Sequence, residues 1–165
     1  MFRNDPLPSK FSKTILVPFC VESSLSGVKE PVEPTQKMVY RRFLDIPEDW
    51  RKKKLRLHFE AVDYSTVVFV NKQEVCRHTG GYDSFFCDIN KALNDNDEPI
   101  EIIVEVTDPT QTQAIPIGKQ WTGLIFDIYV VHLSLIFKVN LEKIITHFSS
   151  TLQPLEFGNL SGWNL

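Results

Sequence analysis

Hydrophobic and polar positions alternate with a period of two along much of the chain. From Lys54 to Phe59, Leu55, Leu57 and Phe59 fall on one side of an extended backbone and Lys54, Arg56 and His58 on the other, the pattern of a half-buried β-strand. His58 is therefore expected at solvent or on a rim. Ile100, Ile102, Val104 and Val106 alternate with Glu101, Glu105 and Thr107 in the same way. In the intervening stretch, Val67 and Phe69 lie on one face and Thr66, Val68 and Val70 on the other; a run apolar on both sides predicts a strand covered by a second layer. Thr14 to Phe19 and Met38 to Ile46 read as further strands, whereas Glu30 to Pro34 carries prolines that a helix and a central strand both reject.

Turn residues punctuate these runs. Asn71-Lys72 is placed as a two-residue hairpin turn, because Asn tolerates the positive φ such turns demand, and Glu74 to His78 is the returning strand. Gly80-Gly81 marks a sharp bend or a backbone approach too close for a Cβ. Phe85, Phe86 and Ile89 resume the burial, and Asn94-Asp95-Asn96-Asp97 is a second turn cluster. No helical stripe is visible up to Lys119. Seven or so short strands separated by turns predict an all-β chain, an antiparallel β-sandwich of the jelly-roll kind. No internal repeat supports a propeller or solenoid. Beyond Trp121 the character changes: Val131, Leu133, Leu135, Phe137, Val139 and Leu141 alternate with mostly polar neighbours and predict one more strand. Ser149-Ser150-Thr151 and Pro154 interrupt any regular element after it, so Glu142 to Leu165 is expected to be a partly ordered tail.

Composition narrows the function classes. A chain of 165 residues with 42% hydrophobic content suits one domain with a real core. The formal net charge of −3 gives no basic footprint for nucleic acid or an anionic membrane surface, and Arg51-Lys52-Lys53-Lys54 reads as a solvated strand entrance. Gly123 to Leu141 is broken by Asp127, His132, Ser134, Lys138 and Asn140, groups too costly for a membrane span. Three cysteines, Cys20, Cys76 and Cys87, are an odd number without metal-ligand spacing. They argue against a disulfide framework or a zinc site and read as small core residues. A reducing compartment, by default the cytoplasm, is expected, the more so because Met1 to Lys10 has no apolar leader segment. No Gly-rich phosphate loop, zinc motif or Ser-His-Asp order appears, so neither cofactor nor metal is expected.

Several blocks, in order, resemble the N-terminal sugar-binding domain of glycoside hydrolase family 2, the β-galactosidase and β-glucuronidase group. Ile15-Leu16-Val17-Pro18-Phe19 with Glu22-Ser23 is similar to its first recognisable strand and loop, and Tyr40-Arg41-Arg42 with Ile46-Pro47 to the next. Leu57-His58-Phe59, Ala61-Val62-Asp63-Tyr64, Phe69-Val70-Asn71, His78-Thr79-Gly80-Gly81-Tyr82 with Phe85, and Asp88-Ile89 come after these, and Val104 to Pro109 closes the likeness. It covers Phe11 to Gln120, leaving 1–10 as a lead-in and 121–165 as a divergent tail. The resemblance implies a galactose-binding-like sandwich. The family usually has Asn-Gly at the hairpin turn, glycine where Cys76 stands and often proline where Ser84 stands, so this hairpin is expected to be less well specified. The family's opening strand is not recognisable before Phe11, nor its closing motif after Gln120, and the chain reads as a truncated member.

Retaining glycoside hydrolysis needs two carboxyl groups about 5–5.5 Å apart. By resemblance both belong to a separate barrel, a fold of roughly 250 residues for which this chain has no room. The chain alone is therefore expected to be a non-catalytic accessory domain. Its partners would be a β-glycoside, reached through the parent enzyme, and a catalytic barrel encoded elsewhere. Glu60 and Asp63 are a tempting local pair, yet on extended chain they point to opposite faces. Asp108, before Pro109 at a strand end, is the better candidate because the resemblance places such a loop near the barrel's sugar pocket; Glu22 and Ser23 are weaker candidates of the same kind. Tyr40, Arg41, Asn71, His78, Gly80, Gly81 and Tyr82 are assigned structural roles. The alternatives are a free-standing carbohydrate-binding module and a nonfunctional fragment. Trp50 is the only tryptophan in the matching region, which favours the accessory reading over a module that needs stacking platforms.

Overall fold

The computed structural model describes residues 7–8, 10–17, 19–94, 98–109, 112–116, 137–141, 144–148 and 154–160. Its strands are β1 (Lys13–Leu16), β2 (Lys37–Leu44), β3 (Arg56–Phe59), β4 (Ser65–Val70), β5 (Gln73–Thr79), β6 (Phe85–Asp88), β7 (Ile100–Thr107), β8 (Phe137–Leu141), β9 (Ile144–Phe148) and β10 (Pro154–Leu160), with one helical turn, α1 (Glu48–Arg51), between β2 and β3. Six strands form an antiparallel sheet in the order β1-β10-β2-β7-β4-β5. The β3–β6 pair packs against it, and the β8–β9 ladder runs beside β3. The all-β sandwich expected from the alternation is the fold.

The core is where the two faces meet. Met38 and Tyr40 of β2, Val68 and Val70 of β4, and Ile100, Ile102, Val104 and Val106 of β7 project inward onto Leu57 and Phe59 of β3 and Cys87 of β6. Each fully buried aliphatic side chain contributes roughly 1.5–3 kcal/mol of transfer free energy. The opposite face of the large sheet is covered too. Val39, Val67 and Ile103 are buried there beside an ion pair between Lys37 and Glu105, 3.1 Å apart and both nearly inaccessible. The two-sided hydrophobicity of residues 66–70 has this cause.

The β4–β5 hairpin turns at Asn71 (φ 49°) and Lys72 (φ 66°), as the sequence predicts. The turn is held from outside by the Asn71 side chain, which donates to the Ala92 carbonyl at 2.8 Å and accepts from the Glu101 amide at 3.0 Å. Further along, the register shifts: Phe69 opposes Glu74 but Val68 opposes Cys76, so Val75 is the extra residue of a β-bulge. Without the bulge Cys76 would oppose Val67 and face away from the core. With it Cys76 faces Cys87, and the two form a disulfide across a Cα separation of 5.5 Å. This corrects the reading of Cys76 and Cys87 as unpaired core residues. Counting cysteines and their spacing detects neither a bulge nor the packing of one sheet on another.

The carboxy-terminal part also differs from expectation. Pro154 opens β10, at a strand end where a missing N–H is tolerated, and β10 lies between β1 and β2 in the large sheet. The serine-rich stretch and the proline hide this strand in the sequence pattern. Of the strand expected over 131–141, Phe137–Leu141 is β8 and the remainder lies outside the described residues, as do 95–97 of the turn cluster and the whole 121–136 segment. Arg51, first of the basic run, is not merely solvated: its guanidinium donates to the carbonyls of Asn94 (3.0 Å) and Glu98 (3.1 Å). Among the described residues no helix is long and apolar enough to cross a membrane.

Candidate functional site

Antiparallel pairing gathers separate pieces of chain at one end of the large sheet. Thr107, ending β7, pairs with Lys37 at the start of β2 and with Ser65 at the start of β4, and Ser65 pairs with Thr79 at the end of β5. Asp108-Pro109, the bend at Asp63-Tyr64 and the Gly80-Gly81 turn therefore emerge together. Two backbone bonds tie them: the Tyr64 amide donates to the Thr107 carbonyl at 3.3 Å, and the Gly80 amide donates to the Tyr64 carbonyl at 2.9 Å.

Glu22 reaches this region from the long β1–β2 connection, which Val17 and Val21 anchor in the core. Burial pushes its carboxyl above the ordinary carboxylate range, and the charge of Asp108 adds to the rise against a lowering backbone hydrogen bond. Asp108 itself is nearly inaccessible. The Tyr40 hydroxyl, fully enclosed, is held strongly in its protonated form, first by burial and then by the Glu22 charge and Cys20. Tyr40 donates to the Met38 sulfur at 3.5 Å. One Glu22 oxygen, Oε2, is buried without a hydrogen-bond partner among the described residues. Two carboxyls beside a phenol can accept from, and when protonated donate to, the hydroxyls of a polyol. Among the described residues no group of three or more acidic, histidine or cysteine side chains could hold a metal ion.

Ser23 does not join this cluster as a free group. Its hydroxyl oxygen accepts from the Leu25 amide at 3.1 Å and caps the short 3-10 turn Ser24–Ser26, whose end Gly27 closes at φ 82°. Glu60 is exposed and Asp63 buried, so these two form no pair. The Asp63 carboxylate lies against the Gly81 backbone, where an added Cβ would come within 2.4 Å of its Cγ. His78 stacks on Phe85 at 4.1 Å between centroids, and Phe85 stacks on Phe59 at 4.6 Å. His78, Gly80 and Gly81 thus lie together at the corner, while the Tyr82 ring stands half exposed. Asn71 marks the other end of the sheet. Arg41 lies mid-strand with its guanidinium over the Phe11 ring (4.1 Å), and it faces Glu101.

Sequence reasoning misses two groupings. Tyr40 reads as purely structural in the sequence, yet its hydroxyl is electrostatically linked to Glu22. On β3–β6, Arg56 lies over the exposed Phe86 ring at 4.5 Å beside His58. Neither grouping has a local spacing signal, because each is made by segments separated in sequence.

The fold and its loop-borne polar groups define the class: an antiparallel β-sandwich that presents its polar chemistry from inter-strand loops. Residues 10–133 match the family described as glycosyl hydrolases family 2, sugar binding domain, and the chain belongs to that family. It is 27% identical over 135 residues to a Formosa agariphila protein described as a beta-glucuronidase, covering 76% of this chain and 16% of that one. Among solved structures, the beta-glucuronidase of Ruminococcus gnavus is similar at 24% identity over 44% of this chain and 12% of its own, with a TM-score of 0.41. Its complex with uronic isofagomine matches at 23% identity over 50% and 14%, with a TM-score of 0.45. The chain thus spans about a sixth of the relative it matches in sequence.

Proposed function

We propose that the chain is the accessory sandwich of a β-glycoside-cleaving enzyme, buttressing a catalytic barrel and extending its Glu22–Asp108 end toward the barrel's sugar pocket. The observation that carries this reading is the convergence of Asp108 and Glu22, on chain segments far apart in sequence, beside Tyr40. Membership of the family supports it. Hydroxyl recognition suits these groups better than bond cleavage does, because hydrolysis needs an acid and a nucleophile set around an anomeric carbon.

The test has two arms. The purified chain is expected to release no nitrophenol from nitrophenyl β-glucuronide or β-galactoside, and turnover would refute the accessory role. In a parent enzyme carrying this domain, Asp108→Asn is expected to raise KM several-fold with a smaller change in kcat, as disturbing a loop that lines a substrate pocket does. Unchanged kinetics would remove Asp108 from the pocket. A free-standing carbohydrate module is the second reading, favoured by the exposed rings of Tyr82 and Phe86. It requires glycan binding by the chain alone, measurable by titration calorimetry.

A further inference from the structure

We propose that Cys76 and Cys87 are an oxidation site through which the redox state of the surroundings opens or closes one edge of this sandwich. The two residues belong to different layers. Cys76 is on β5, the strand at the edge of the large sheet among those described, and Cys87 is on β6, which pairs with β3 in the facing layer. The bulge at Val75 aims Cys76 inward, and the Cα separation of 5.5 Å lies in the range a disulfide spans without backbone movement. The bond closes a ring over a sequence separation of 11 that contains the whole Gly80-Gly81-Tyr82 corner. It staples β5 to β6, strands that also meet where His78 stacks on Phe85.

Access sets the order of the chemistry. Cys87 is 1% exposed and Cys76 is half-buried. The Cys76 thiolate attacks one sulfur of a small disulfide such as glutathione disulfide, forming a mixed disulfide and releasing one glutathione thiolate. The Cys87 thiolate then displaces the second glutathione, so the protein loses two protons and two electrons and the oxidant leaves as two thiols. A dithiol reductant runs the sequence backward. The third cysteine, Cys20, is on the β1–β2 connection near Tyr40 and is in no disulfide among the described residues. The odd cysteine count is one ground for expecting a reducing compartment, and the Cys76–Cys87 pair removes that ground.

The full chain, equilibrated with glutathione disulfide or with dithiothreitol, is alkylated and peptide-mapped, and its backbone amide exchange is followed in both states. After oxidation the 76-to-87 link is expected, with Cys20 alkylated. On reduction the amides of residues 73–88 are expected to exchange at least about tenfold faster, because releasing the ring restores chain entropy to the open state, while those of β2 and β7 keep their rates. Cys76→Ser and Cys87→Ser should each show the faster exchange in oxidant and ignore the reductant. Alkylation of all three cysteines after oxidation would overturn the proposal. So would a bond that forms and leaves the exchange of 73–88 unaltered, a comparison that needs only the unmodified chain.

Discussion

Gly81 has no room for a side chain, because any Cβ there would meet the Asp63 carboxylate at 2.4 Å and that carboxylate is itself buried. Gly81→Ala is therefore expected to destabilise the chain by about 1–3 kcal/mol, the usual cost of overpacking, seen as a lower urea midpoint at unchanged slope. The sequence shows only that a glycine pair stands here; which neighbour forbids the Cβ is a fact of the fold. Glu22 makes a second residue-scale prediction, with a sign set by linkage. Its folded-state carboxyl titrates above its ordinary value of 4.5, so over the interval between the two the native state holds more protons than the unfolded chain. Its contribution to stability therefore falls as pH rises through that interval. Glu22→Gln, which cannot ionise, should melt higher than the unmodified chain near neutrality, with the difference shrinking toward pH 4. A difference independent of pH would show that the carboxyl does not titrate there.

Among elements, β3, β4 and β7 are the most legible, since Leu55 to Phe59, Thr66 to Val70 and Ile100 to Val106 carry strict alternation or two-sided apolarity. The β4–β5 turn is legible from Asn71, and its strength comes from elsewhere: Asn71 bonds to Ala92 and Glu101, residues of other elements. Lys72 has no such compensation at φ 66°. Lys72→Gly is expected to stabilise the hairpin by about 0.5–1 kcal/mol, the relief of a left-handed residue less the entropy glycine loses, measurable as a raised thermal midpoint. The bulge at Val75 is not legible, because Val75 and Cys76 offer the same small apolar profile whether one or both face inward. The disulfide depends on that bulge and is invisible with it.

At the scale of the whole molecule, β10 completes the large sheet, bonding to β1 on one side and β2 on the other. Removing residues 154–165 would leave two ladders unpaired and turn the interior of the sheet into edges. The shortened chain is expected to melt lower and to scatter light increasingly with concentration; an unchanged midpoint and a monodisperse sample would show that the sheet does not depend on this strand. Fold class and family were within reach of the sequence alone, because alternation, turn residues and the order of short blocks are local properties that survive without contacts. Asp108 and Glu22 could be named as candidates from their loops. Their meeting beside Tyr40, the Cys76–Cys87 bond across the layers and the place of β10 were decided only by the tertiary structure. Each depends on which distant segments antiparallel pairing and sheet packing bring together, and spacing along a chain holds no record of that.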